Sequence, residues 1–214
     1  MTKLDLIIIG AGGFGRELHT MLWDGISRDE YQFKGFLANE SKERVEVHGP
    51  VIGSPEDYQP QKNDRFLLAI GAMEVRARLT ELLTDRGGQF ASFVHHTAYI
   101  ADNATVGVDA VIYPFAVVSN AASVADHVHL NYYASVGHDA TVGRYCLLAP
   151  YATLNGFTTL EDQVYMSTHA TVVVEKRVGA RSKISANTSV QHDVPADSFV
   201  FGVPGKVIRK GGIG

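Results

Sequence analysis

The chain has 214 residues, enough for one large domain or two small ones with a real core. Its 19 basic and 23 acidic residues leave a net charge of −4, which argues against a nucleic-acid binder, and its single cysteine, Cys146, excludes an intrachain disulfide. The first apolar run, Leu6 to Ile9, is too short for a signal or membrane span and follows no basic region, so a soluble, cytoplasmic protein with no membrane partner is the expectation.

Leu4 to Ile9 is a continuous apolar stretch, as a buried parallel strand requires. Gly10-Ala11-Gly12-Gly13-Phe14-Gly15 follows it, and Arg16 to Trp23 reads as a helix. Phe33 to Leu37 and Phe66 to Ile70 read as further strands, the second punctuated by Gly71 before a helical stretch from Glu74 to Arg86. This is a Rossmann-like β-α-β unit over residues 1–88, with Gly87-Gly88 as its boundary. Gly10, Gly12 and Gly15 make a G-x-G-x-x-G between strand and helix, where backbone can approach a phosphate at a helix N-terminus. A full dinucleotide fold carries an acid about twenty residues on. Here Glu40 is the only acid in Gly35-Phe36-Leu37-Ala38-Asn39-Glu40, so a mononucleotide-type site for a nucleotide-activated substrate is expected. The alternative is that the glycines serve only tight helix–strand packing.

Beyond the boundary the pattern changes. Stepping by six from Ile100 to Val190 gives sixteen residues, every one aliphatic or Met. Four places after each stands a small or modest residue, with Lys176 the only large one. This period fits neither an amphipathic helix nor a free strand. It fits a triangular prism in which each hexad makes one face and three hexads make one coil. Stacked coils pair as parallel strands and bury a core that one coil could not. The expected architecture over 89–198 is therefore an all-β parallel β-helix, followed by a C-terminal tail at 199–214. Lys176 is expected to mark a small loop or a locally opened corner.

Nine histidines are present, and His138 stands out in Val136-Gly137-His138-Asp139-Ala140. It lies two places past an interior valine, so it should sit near a corner and point outward. Asp139 can orient the ring. Acyl transfer from a thioester needs a base for the acceptor's proton, and histidine suits neutral pH. Gly156 comes three hexads later and should stack beside His138, its N–H free to meet a thioester oxygen. Asn131, seven residues earlier, is a polar candidate for the acceptor. His127 and His129 converge on nothing in sequence, and no Cys/His spacing implies a metal.

These segments together resemble the bacterial sugar acyltransferases, the group of sialic-acid O-acetyltransferases and bacillosamine-pathway N-acetyltransferases. The resemblance runs from Gly10-Ala11-Gly12-Gly13-Phe14-Gly15-Arg16-Glu17 through Asn131, Gly137-His138-Asp139-Ala140-Thr141-Val142-Gly143, Ala149-Pro150 and Asn155-Gly156 to Phe201-Gly202-Val203-Pro204-Gly205-Lys206. It implies a left-handed β-helix, His138 as base supported by Asp139, and Asn131 in the acceptor site. It implies that Gly156 offers its backbone to the acetyl carbonyl and that Ser185-Ala186 hold coenzyme A by backbone contacts. By the same resemblance Gly10, Gly12, Gly13, Phe14, Gly15, Asn39 and Gly71 form the nucleotide-sugar site, and no metal is needed. It further implies a homotrimer, with acetyl-CoA between neighbouring β-helices and the sugar reaching in from the N-terminal domain. Two departures stand out. Leu147 occupies the position of a second histidine that many members carry, nine residues after the catalytic one. Ala38-Asn39 replaces paired aspartates, so the nucleobase is expected to differ from uracil. The function implied is N-acetylation of the 4-amino group of a nucleotide-linked amino-deoxy sugar for surface glycan. The competing readings are sugar O-acetylation and a non-catalytic nucleotide-sugar-binding β-helix.

Overall fold

The structure, a computed structural model, describes residues 2–39 and 49–209. The chain divides into two compact units, Met1–His95 and His96–Gly214.

In the first unit, strand β1 (Leu4–Ile9) is central in a four-stranded parallel sheet, flanked by β2 (Tyr31–Leu37) and β4 (Asp64–Leu68), with β3 (Val51–Gly53) outside β2. Leu6 to Ile9 are wholly buried, which is why the run shows no alternation. Helix α2 (Met73–Asp85) lays Leu79 and Leu83 on Ile7, Ile9, Phe66 and Leu68. Val75 and Leu82 complete its apolar stripe at helical spacing. Helix α1 (Gly13–Thr20) begins three residues earlier than the sequence predicts, and Leu22–Asp24 is a separate 3₁₀ turn. Glycine is a poor helix former, so Gly13 and Gly15 read as loop. Packing against β1 overrides that preference. Strand β3, three residues long beside Pro50, carries too little pattern to be read from sequence.

The second unit is a left-handed β-helix. Sixteen two-residue rungs run from Tyr99–Ile100 to Ser189–Val190, three to a coil, and successive coils pair rung on rung in parallel. Three faces result. The first holds Ser135–Val136 and Thr153–Leu154, the second Thr141–Val142 and Thr159–Leu160, the third His129–Leu130 and Leu147–Leu148. From Ile112 to Val190 every interior aliphatic is buried, and so is every partner position from Ala110 to Thr188 except Lys176. No loop opens at Lys176. The rungs Thr171–Val172 and Arg177–Val178 on either side keep the six-residue step, and the Lys176 carbonyl still accepts the Thr159 N–H at 2.9 Å. Its long stem lies partly covered at the corner, so one bulky residue is absorbed without an insertion. Parallel pairing continues past Ile184 into Ser198–Phe201, which then turns into an antiparallel strand at Lys206–Arg209.

The corners are built the same way at every hexad. From Asp109 to Asn187 the third residue after each interior aliphatic has φ between 52° and 62°, and none is glycine. The left-handed region costs an L-residue about 1–2 kcal/mol, so each corner needs compensation. On the corner after the third face Phe115, Tyr133, Tyr151 and His169 supply it by stacking at 5.0, 4.9 and 4.7 Å, with planes within 15°. On the corner after the second face His127 stacks on Tyr145 at 4.8 Å, and its Nδ1 meets the buried Asp109 carboxylate at 2.8 Å.

The register makes a quantitative expectation. Ala140 is wholly buried and Thr141 is exposed. Ala140→Leu should lose about 1–3 kcal/mol by overpacking the prism, and Thr141→Leu much less. Thermal unfolding at one fixed protein concentration reads both, and equal losses would mean that inside and outside are exchanged.

Candidate functional site

Two clusters of predicted residues are brought together, one in each unit. In the first unit all strands run the same way, and β4 returns to the free side of β1. The crevice at the carboxyl ends of β1 and β4 is therefore a topological switch point, where open α/β sheets bind ligands. Gly10 to Gly13 follow β1 and Gly71 follows β4.

The glycines divide into two kinds. A Cβ on Gly15 would lie 1.8 Å from the Gly10 carbonyl oxygen, and one on Gly10, at φ +105°, would lie 2.6 Å from the Ala69 oxygen. Those two are demanded by packing. Gly12, Gly13 and Gly71 face open space, with nothing within 4 Å of an added Cβ. Packing does not need them to be glycine. Gly12 and Gly13 leave bare backbone at the N-terminus of α1, and Gly71 leaves it bare past the carboxyl end of β4. Such a ledge suits a phosphate. Phe14 lies half-buried in the first turn of α1. Asn39 is exposed two residues past β2 and contacts Glu56, whose carboxylate Arg78 holds at 2.9 Å and keeps below its ordinary range, with Asn39 adding to the effect. Glu40 and His48 lie outside the described residues.

In the second unit His138 sits on the corner after the first face, and Asp139 takes the left-handed position there at φ 57°. His138 Nδ1 lies 2.9 Å from Asp139 Oδ2. A carboxylate can only accept, so Nδ1 carries the proton, and in the neutral ring Nε2 is the atom with the lone pair. The imidazole is 55% exposed, open to a substrate. Beneath it lies Gly156. A Cβ there would meet His138 Cε1 and Nε2 at 2.5 Å, so only glycine leaves the ring its place. Within the described residues the Gly156 N–H donates to no other group, while its carbonyl accepts from Glu175 at 3.1 Å.

Asn131 stands on the preceding corner, after the third face, with its Oδ1 taking the Tyr132 N–H at 2.7 Å. Ser185 and Ala186 are on that same corner three coils further on. Within one chain the whole first face separates these three residues from His138. Leu147 is buried on the third face between His129 and Tyr165. Of the remaining histidines, His129 is buried and His169 is the end of the ring stack. A groove of about 590 Å³ on the second face is lined by Thr159, Glu161, Arg177 and Arg181. Its arginines are matched, Arg177 to Glu161 at 2.6 Å and Arg181 to Asp197 at 2.6 Å. The Ala180 N–H, then Arg177, hold the Glu161 carboxyl below its ordinary range.

Two features escaped the sequence. The His127–Asp109 pair could have been found by stepping one whole coil from each histidine. Phe157, whose ring meets His138 edge-on at 5.2 Å, gives no spacing signal beyond following Gly156. Among the described residues no three His, Cys, Asp or Glu could share a metal, and no helix is long and apolar enough to cross a membrane.

Residues 5–83 match the family model of the PglD N-terminal domain. No curated protein matches the chain. Among solved structures, the acetyltransferase domain of PglB from Neisseria gonorrhoeae, in complex with acetyl coenzyme A, is 26% identical with a TM-score of 0.85, over 97% of this chain and 100% of that one. WeeI from Acinetobacter baumannii is 24% identical with a TM-score of 0.83, over 97% and 100%. PerB from Caulobacter crescentus, in complex with CoA and GDP-perosamine, is 22% identical with a TM-score of 0.85, over 95% and 97%; the last two likenesses speak to fold.

Proposed function

We propose that this chain, which belongs to the bacterial sugar acyltransferases, is an acetyl-CoA-dependent N-acetyltransferase acting on the 4-amino group of a nucleotide-linked amino-deoxy sugar. The observation that carries the reading is His138, oriented by Asp139 through Nδ1, with Nε2 open above the bare backbone of Gly156. The acetyl-CoA bound by the PglB domain supports the donor, and the GDP-perosamine bound by PerB supports a nucleotide sugar as acceptor.

In this reading the neutral amine attacks the thioester carbonyl carbon. The C–N bond forms and the C–S bond breaks. His138 Nε2 takes the proton from the amine and returns it to the leaving sulfur. Asp139 holds the tautomer and supports the imidazolium. The Gly156 N–H donates to the carbonyl oxygen as charge gathers there. The ledge of Gly12, Gly13 and Gly71 takes the acceptor's phosphates, and Asn39 lies toward the nucleobase. Asn131, Ser185 and Ala186, a full face away in their own chain, serve the site from a neighbouring copy in a homotrimer. Both substrates are cytoplasmic metabolites, and the cytoplasm is where this reading puts the enzyme.

Thiol release from acetyl-CoA should appear with a UDP-, GDP- or dTDP-linked 4-amino-4,6-dideoxy sugar. Release only with hydroxyl acceptors would make the enzyme an O-acetyltransferase, and none with either would leave a binding protein. Gly12→Val is a useful companion, because a Cβ at this position meets nothing within 4 Å. It should raise KM for the sugar nucleotide about tenfold and leave KM for acetyl-CoA within twofold, on the scale of losing one good phosphate contact. A shift in the acetyl-CoA constant alone would put the two substrates on the wrong units.

A further inference from the structure

Phe157 is an anomaly among the corner residues. It sits in the left-handed region at φ 59° and is 54% exposed. A large aromatic in that conformation needs a reason. On the neighbouring corner the reason is ring stacking, since Phe115, Tyr133, Tyr151 and His169 lie nearly parallel one coil apart. That reason fails for Phe157. The residues one coil above and below it are Asp139 and Glu175, neither with a ring to stack on. Its ring instead stands at 88° to the imidazole of His138, with centroids 5.2 Å apart.

The surroundings define what that ring borders. Its own N–H donates to the His138 carbonyl at 3.0 Å, which fixes the turn under the imidazole. The preceding residue is Gly156, where an added Cβ would fall 2.5 Å from Cε1 and Nε2. One coil below Gly156 on the same corner is Val174, half-exposed like Phe157. The strip is therefore imidazole, bare glycine, then two apolar side chains, bordered by the carboxylates of Asp139 and Glu175 one coil above and below Phe157.

We propose that Phe157, continued by Val174, is the specificity-determining wall that limits the donor's acyl group to a short chain. The inference rests on the acyl-transfer reading above. A thioester whose oxygen meets the Gly156 N–H, and whose carbon is attacked within reach of His138 Nε2, puts its acyl substituent beside the residue that follows Gly156. An apolar ring there accepts a methyl group. It stands where the third and later carbons of a longer chain would go. Apolar walls of this kind discriminate by about 10-fold or more per misplaced methylene, so the wild-type enzyme prefers acetyl to butyryl donors.

The test compares kcat/KM for acetyl-, butyryl- and hexanoyl-CoA, at one saturating acceptor, in wild type, Phe157→Ala, Phe157→Asn and Phe157→Leu. Ala and Asn remove the ring, and Asn tolerates the left-handed backbone, so at least one small variant keeps the turn. In both, the butyryl-to-acetyl ratio should rise tenfold or more over wild type. In Phe157→Leu, which keeps apolar bulk, it should stay within threefold. Unchanged melting midpoints exclude a general loosening. A ratio within twofold of wild type in both small variants overturns the proposal while leaving the acyl-transfer reading intact. Absence of thiol release by wild type with every donor removes that reading and the proposal with it.

Discussion

His138→Ala should lower turnover by about 10²-fold or more at saturating substrates, the ordinary scale for loss of a general base. The fold should survive, because the side chain is 55% exposed at a corner of the coil. Its melting midpoint should stay near wild type. Asp139→Asn should cost less. An amide can still accept the Nδ1 proton, at the 2.9 Å now spanned by the carboxylate, but it gives no charge to the imidazolium. Thiol release under single-turnover conditions separates the chemical step from binding. Turnover within a few-fold of wild type in His138→Ala removes His138 from the mechanism. A larger loss in Asp139→Asn than in His138→Ala exchanges the two roles.

The β-helix is legible because a solenoid repeats one environment many times. An interior aliphatic such as Val136 and a corner alanine such as Ala140 recur with no insertion, so register follows from counting. Counting also brings Gly156 under His138, since three hexads close one coil. It does not reveal what a side chain does once it reaches a corner. Phe157 and Tyr151 hold equivalent backbone conformations, yet one turns to His138 and the other joins a ring stack. Only the neighbours one coil away distinguish them. Asn131 shows a second limit. It is seven residues from His138 in sequence, but a whole face intervenes between their corners. Sequence proximity is a poor guide where a single hexad crosses a face and three close a coil. In the first unit the weak points are local. Strand β3 is too short to carry a period, and α1 starts on glycines whose helical state is imposed by packing.

Those glycines give the other large effect. In the motif after β1, sequence alone leaves ligand contact and helix–strand packing as alternatives for every glycine. The structure separates them by position. Gly15→Ala should destabilise the first unit by about 3 kcal/mol or more, the upper range for overpacking a tight contact. The added Cβ would fall 1.8 Å from the Gly10 carbonyl oxygen and 2.9 Å from its carbon. Backbone cannot yield as a flexible side-chain tip does, so α1 must move away from β1. Leu18, wholly buried on the same helix, would move with it. Gly12→Ala is the control, because its Cβ meets nothing within 4 Å and its φ of −75° suits any residue. Its melting midpoint should stay near wild type, and any loss should appear only in the sugar-nucleotide KM. Denaturant unfolding followed by Trp23 fluorescence reads the first unit, since Trp23 is the chain's single tryptophan and lies just past α1. Equal stability of the two variants would mean that α1 does not rest on Gly15, and the division of the motif into packing and ligand glycines would fall.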